Sequence, residues 1–509
     1  GDIEGARKAI EWHKNIWGED YYLELQRHEV KNPTIRANRE TFELQQTANE
    51  ELIKLAKEYG VKLVCTNDVH FVDEDNAEAH DHLLCLSTGK DLDDPNLMLY
   101  ANQEWFKTKE EMNEIFADVP EALSNTTEIL DKVEFYDIEH APIMPFYPIP
   151  EDFGTEEQWR EKISPEMLFD EFTSDENGEN PMPREEGEKK IAKLGGIDKL
   201  YRIKFEADYL KLLAMQGAIP LYPQLMELPE YQALGIELPP EAKPTEINAK
   251  EVDDLSRFEL HIMKTMGFPG YFLIVQDFIN SAQKDLDVMV GPGRGSAAGS
   301  VVAYCLGITK IDPMKYDLLF ERFLNPDRIS LPDIDTDFDD DGRGRVLEWV
   351  ENKYGHANCA HIITYSTMAT KNSIKDVARV EKLPLDVTNR LCKEIPDRLP
   401  DSLKMNLPNA IKSVEALRNA CASADPKMSN TMRYAQMLEG TVRGTGIHAC
   451  GFIICRDPIS NWVPVSVAED KDNPGHKLRC TQYDGHVIES TGLIKMDFLG
   501  LKTLSIIKD

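Results

Sequence analysis

The sequence lacks any apolar run approaching the ~18 residues of a membrane span. Its longest candidate, Ala297 to Ile308, is interrupted by Gly, Ser and Tyr. The opening Gly1-Asp2-Ile3-Glu4 is charged from the start and reads as no secretory signal. No two of the nine cysteines form a Cys-x-x-Cys, their number is odd, and most sit in apolar runs such as Leu63 to Thr66 and Ala303 to Gly307. That usage argues against a disulfide framework or a structural zinc site and for reduced thiols in the cytoplasm. Aromatic residues are only 8%, yet 41% of the 509 residues are hydrophobic, enough for several cores across ~3–4 domains and too many for wholesale disorder. Positive charge is scarce: 57 Lys+Arg stand against 90 Asp+Glu, a net charge of -33. Such a total argues against a polyanionic partner, because like charges repel.

The total hides a segregation. Residues 151–190 hold 14 acidic and 5 basic side chains and read as a solvated acidic loop. Residues 351–450 carry 14 basic against 10 acidic side chains, a local excess of positive charge. Near the N-terminus, periodicity predicts a helix over 7–17, a strand over 21–25, a helix over 38–59 ending at Gly60, and a strand over 61–65. This is a βα pattern. Pro-rich crossings follow at 141–150 and 237–244.

Three segments carry chemistry. Leu286 to Val290 reads as a strand running into Gly291-Pro292-Gly293-Arg294-Gly295-Ser296, with helical composition after it. Strand, Gly-rich turn and helix start together have the layout of an anion site: glycines such as Gly295 let backbone N–H groups approach phosphate, Ser296 can donate, and Arg294 is a bidentate donor. No Gly-Lys-Ser/Thr follows, so this is not a P-loop, and it departs from GxGxxG. Pro332-Asp333-Ile334-Asp335-Thr336-Asp337-Phe338 alternates carboxylates with apolar residues. In a strand, i and i+2 share a face ~6.5–7 Å apart, so the three aspartates point the same way and demand a counter-ion, for which hard oxygen ligands select Mg²⁺. Gly492 to Gly500 is a third strand pattern carrying Lys495 and Asp497 on one face. A phosphate-holding turn plus three carboxylates is the equipment of two-metal nucleotidyl transfer.

Five motifs now stand in one order: Gly267 to Phe278, Gly291 to Ser300, Glu321 to Arg328, Pro332 to Phe338 and Met496 to Leu501. Together they resemble the C family of bacterial replicative DNA polymerases, the α subunits of DNA polymerase III. The resemblance extends through Ile362 to Ala369 and back into the N-terminal third.

It implies an α/β and α+β multidomain chain: the end of a PHP βα barrel over 1–150, a connector with an acidic insertion and the first palm segment over 151–364, a helical thumb over 365–440, and a palm return segment over 441–509. The palm would have the polymerase-β-like nucleotidyltransferase fold. Catalysis and the binding of two Mg²⁺ fall to Asp333, Asp335 and Asp497. Asp337 is a weaker candidate, because related enzymes lack that aspartate. Arg294, Gly295 and Ser296 would hold the incoming dNTP, with Lys495 as a further phosphate or primer-terminus contact. Lys371, Lys375 and Arg379, four apart in the thumb-like segment, would grip the backbone of primer-template DNA.

Cys65 to His70 resembles the last ligand motif of the PHP domain, whose intact form can hold Zn²⁺ or Mn²⁺. Asp68 and His70 would be ligands, in a chain that begins after the earlier histidine-rich motifs. His448 and Cys450 suggest a metal pair, but no further ligand is near in sequence, and the pair reads as structural. The family's partners are the sliding clamp and other replisome subunits, through regions beyond this chain, which reads as an internal piece inactive without the fingers. The alternatives are a PHP phosphoesterase or 3′-5′ exonuclease centred on Asp68 and His70, and a non-catalytic replisome interaction fragment using residues 151–190. The connector looks longer than the family's usual one.

Overall fold

A computed structural model describes residues 1–240, 242–325, 332–470 and 473–509. None of its helices is long and apolar enough to cross a membrane. The chain divides into two units. One joins Gly1–Tyr136 to Tyr365–Thr445, and the other joins Asp137–Thr364 to Gly446–Asp509.

In the first unit, strand β1 (Tyr22–Leu25) pairs in parallel with β2 (Lys62–Cys65), so that Leu25 lies opposite Cys65. The helix Glu40–Tyr59 connects them and stops at Gly60, whose φ of 60° provides the left-handed cap that glycine accepts without strain. Leu23, Leu25, Leu55, Leu63 and Phe116 form the core beneath this βα unit. Among the described residues of Gly1–Tyr136 this parallel pair is the one named sheet. A second core gathers the helices Thr370–Val380, Leu385–Lys393 and Pro426–Leu438 around Ile374, Val377, Leu407 and Met432. Ala79, from the helix Ala77–Thr88, belongs to the same core. Beside it, His82 Nε2 lies 2.7 Å from a Glu381 carboxylate oxygen, and the Tyr434 hydroxyl donates to Glu78. The helix Ala77–Thr88 thus joins the 365–445 segment in this second core.

The second unit is built on a six-stranded mixed sheet. Its strands are β3 (Asp335–Asp339), β4 (Cys359–Thr367), β5 (Val442–Ile454), β6 (Val465–Glu469), β7 (Lys477–Asp484) and β8 (Lys495–Leu501), in the order β3-β8-β5-β4-β7-β6. Strand β8 runs parallel to β3 and antiparallel to β5. On one sheet face Phe338 and Phe498 stack, with ring centroids 5.6 Å apart, and Phe278 and Phe452 close around them. Phe278 comes from the helix Pro269–Lys284, which buries Tyr271 through Val275 on every side and forms the centre of the main core.

Two expectations change here. Residues 151–190 are a folded helical layer rather than a solvated loop. Helices Glu156–Lys162, Pro165–Thr173 and Arg184–Lys193 surround Leu168, Phe169, Phe172 and Ile191. Acidic side chains fill the outer faces, and only a few apolar residues at helical spacing are needed to hold such a layer. Leu286 to Val290 forms no strand of its own; Val290 makes an isolated bridge to Phe338, with ladder bonds only at Met289 and Gly291 beside it.

Close backbone approach makes one glycine indispensable. A Cβ on Gly217, in the helix Ile197–Leu221, would lie 1.9 Å from the Cys305 carbonyl oxygen. Gly217→Ala is expected to destabilise the protein by about 1–3 kcal/mol in urea unfolding, since backbone must move to admit the methyl group. Gly344→Ala, in the helix Arg343–Tyr354 with open space around it, is expected to leave stability unchanged or raise it slightly.

Candidate metal centre and phosphate turn

The parallel register of β3 and β8 places Asp335 directly opposite Asp497. Asp333 lies two residues before β3, and the Tyr271 hydroxyl fixes this approach by accepting the Ile334 N–H at 3.1 Å. Oxygens of Asp333, Asp335 and Asp497 lie within 4.8 Å of one another. Asp497 is 7% exposed, and its Oδ1 has no hydrogen-bond partner. Its Oδ2 pairs with Lys495 Nζ at 2.8 Å across the shared strand face. Desolvation, reinforced by the Asp335 charge, pushes the Asp333 carboxyl above its ordinary value. Burial opposes the Lys495 ammonium, but the hydrogen bond to Asp497 together with the charges of Asp497, Asp333 and Glu489 outweighs it and holds that group above its usual range. Crowded carboxylates with an orphaned buried oxygen fit a hard divalent cation.

Asp337 shares the face but not the cluster. Its carboxylate turns to Arg294, Nε to Oδ2 3.5 Å, while its carbonyl accepts the Gly291 N–H at 2.8 Å. Burial, only partly offset by Arg294, raises its carboxyl above the usual range. The third aspartate therefore connects strand β3 to the glycine-rich turn.

That turn is an exposed rim on a buried base: Arg294, Gly295 and Ser296 are exposed, and Ala297 to Ser300 are buried. Gly293 and Gly295 have φ of 97° and 68°. After them the expected helix is two short pieces, a 3₁₀ turn Gly295–Gly299 and a helix Val301–Cys305. The first amides of that helix are already satisfied. Fully buried Glu259 accepts the Val301 and Val302 N–H groups, each at 2.9 Å, and the Ser300 hydroxyl at 2.6 Å. Ser300 Oγ in turn accepts the Ala303 N–H at 3.0 Å. A protein carboxylate thus occupies the helix start that sequence reasoning offered to phosphate, and the rim is what remains open. Glu259 sits in the amphipathic helix Ala249–Thr265 without any motif around it, so only its burial marks it.

The other predicted residues sort as follows. Lys371, Lys375 and Arg379 lie on the helix Thr370–Val380 opposite its buried face; Lys375 and Arg379 are exposed, and Lys371 is 3.4 Å from Asp397. Asp68 and His70 are adjacent, with His70 Nδ1 2.7 Å from the Asp68 carbonyl and Nε2 3.3 Å from the Tyr100 hydroxyl. Among the described residues no third ligand joins them. His448 and Cys450, on β5, gain a neighbour that sequence distance concealed: their ligand atoms and one of Asp497 lie within 4.8 Å of one another. Pro326, Asp327 and Arg328 of the Glu321 to Arg328 motif lie outside the described residues.

Residues 225–500 match the family model described as Bacterial DNA polymerase III alpha NTPase domain. The chain is 38% identical over its whole length to the DNA polymerase III subunit alpha of Borreliella burgdorferi, spanning 36% of that protein. It is 36% identical to the same subunit of Pseudomonas aeruginosa and 35% identical to that of Thermus aquaticus, again over 100% of the chain and over 36% and 39% of those proteins. The chain thus spans little more than a third of the relatives it matches. With the motifs in order along an aligned length that runs from end to end, the chain belongs to the bacterial DNA polymerase III alpha family.

Proposed function

We propose that this chain carries the palm and thumb of a DNA-templated DNA polymerase that adds dNTPs to a primer 3′-hydroxyl in chromosomal replication. The observation that supports it most is the convergence of Asp333, Asp335 and Asp497 beside the orphaned Asp497 Oδ1. These three carboxylates would hold two Mg²⁺. Bound there, the ions would favour ionisation of the attacking hydroxyl and offset triphosphate charge.

The chain's own residues do the positioning. Arg294, oriented by Asp337, offers a guanidinium to the triphosphate, and the Gly295–Ser296 rim offers backbone and hydroxyl groups. Lys495 balances the buried Asp497 charge and is a cation available to a phosphate or the primer terminus when that carboxylate turns elsewhere. Lys375 and Arg379, with Lys371, present positive charge on one helix face, which suits sequence-independent contact with DNA backbone. In the palm the polymerase-β-like arrangement is consistent with carboxylates on adjacent strands, and the first 136 residues fit the end of a PHP domain. Primer-template DNA, dNTPs and the replisome are the partners this reading entails.

In the intact protein, Asp333→Asn and Asp335→Asn are each expected to reduce primer extension to assay background while leaving primer-template affinity nearly unchanged. Wild-type-like incorporation would remove the assignment. Mn²⁺ binding followed by electron paramagnetic resonance separates the aspartates. Asp497→Asn should abolish binding at the centre, whereas Asp337→Asn should retain it and raise the KM for dNTP by about tenfold, the worth of one charge-assisted contact near 1.4 kcal/mol.

A further inference from the structure

We propose that His448, Cys450 and Asp497 form a site for a thiophilic divalent cation of the zinc class, adjoining the carboxylate centre and sharing Asp497 with it. The antiparallel register of β5 and β8 sets Gly451 opposite Asp497, and Cys450 precedes Gly451 just before that pairing begins. One ligand atom from each of the three side chains falls within 4.8 Å of the others. His448 Nδ1 and Cys450 Sγ are 3.5 Å apart. A tetrahedral ion with bonds of about 2.3 Å to sulfur and about 2.0–2.1 Å to nitrogen holds those two atoms about 3.5 Å apart. The third ligand is a carboxylate oxygen of buried Asp497, whose Oδ1 has no hydrogen-bond partner.

Ligand chemistry separates this site from its neighbour. Mg²⁺ takes oxygen and ignores a thiol, so the Asp333–Asp335 side of Asp497 suits it. A thiolate and an imidazole select a softer ion on the other side. Three protein ligands leave a fourth position open to water or a substrate oxygen, as in zinc sites that are not purely structural.

The ion must displace identifiable contacts. His448 Nδ1 accepts the Gly451 N–H at 2.7 Å and approaches the Cys450 N–H at 3.3 Å, and the imidazole gives these up to ligate. Lys495 pairs with Oδ2 and can keep it while Oδ1 binds. Cys450 releases its thiol proton to solvent as the sulfur–metal bond forms. Gly451 leaves room beside the ring, because a Cβ there would stand 2.9 Å from Nδ1. An ion held here draws on the carboxylate that the polymerase reading assigns to Mg²⁺; only this consequence, inhibition relieved by excess Mg²⁺, rests on that reading.

The test is Co²⁺ added to the intact protein, followed by absorbance. The expected result is one equivalent with a thiolate-to-cobalt charge-transfer band and tetrahedral visible bands. Zn²⁺ should displace it and millimolar Mg²⁺ should weaken it. Cys450→Ser should abolish the charge-transfer band and His448→Ala should weaken Co²⁺ affinity at least tenfold, whereas Asp333→Asn should keep the spectrum. A purely octahedral, oxygen-ligated spectrum overturns the proposal, and so does a thiolate band that survives Cys450→Ser. Should Cys450→Ser fail to fold, Cys450→Ala and alkylation of the native thiol before Co²⁺ addition give the same decision. The spectrum involves no primer extension, so failure of the polymerase reading would leave this result intact.

Discussion

Charge crowding at the β3–β8 pair is the constraint on which the second unit depends. Two carboxylates 4.8 Å apart repel by about 3.5 kcal/mol at an effective dielectric of about 20, and Asp333, Asp335 and Asp497 all lie within that distance. The strand period of two resolves the problem by separating the faces. Asp335, Asp337, Lys495 and Asp497 occupy one face, while Phe338, Met496 and Phe498 occupy the other and are buried there. The aromatic stack of Phe338 on Phe498, closed by Phe278 and Phe452, holds the two strands in register from beneath. A one-residue slip would drive carboxylates into that core, so register and charge placement are specified together.

Much of this was legible in the sequence. The alternation from Asp333 to Phe338 and the paired charges Lys495 and Asp497 carry a strand period, and a strand period fixes which side chains share a face. The N-terminal helix–strand alternation and the Gly60 cap were equally plain, because local propensity and a glycine signal agree there. What stayed hidden depended on pairing across long separations. Asp335 and Asp497 are brought together by parallel ladder bonds that no local pattern announces. The same holds for Cys450 beside Asp497, and for Glu259 beneath Ser300. The acidic 151–190 segment misled for a different reason: composition counts the charged outer faces and overlooks Leu168, Phe169 and Phe172, which enter a buried core.

Acidic residues in this chain do three distinct things, and net charge averages them. Glu259 and Asp337 are buried and bonded to the framework of the glycine-rich turn, one closing a helix start and the other lying beside an arginine. Their polar contacts are internal: N–H and hydroxyl groups for Glu259, and a guanidinium for one oxygen of Asp337. Asp333, Asp335 and Asp497 are the set left under-compensated, with one lysine among three carboxylates. Residues such as Glu185 and Glu188 pair with Lys189 and Arg184 on exposed helix faces, where each pair contributes little. A total of -33 therefore says nothing about the sign of the surface that meets a partner.

The order β3-β8-β5 explains why Asp497 can serve two neighbours. A central strand faces a different partner on each edge, so a side chain on β8 adjoins the aspartates of β3 on one side and the imidazole and thiol of β5 on the other. An edge strand would offer only one of these. Asp497 has two oxygens, and in the structure one is held by Lys495 while the other is free of hydrogen bonds. Whichever ion takes that free oxygen does so against the other, because one buried carboxylate cannot be fully committed to both a hard and a soft cation. Ligand softness on the two flanking strands, rather than the strength of Asp497 itself, then decides which ion the centre prefers.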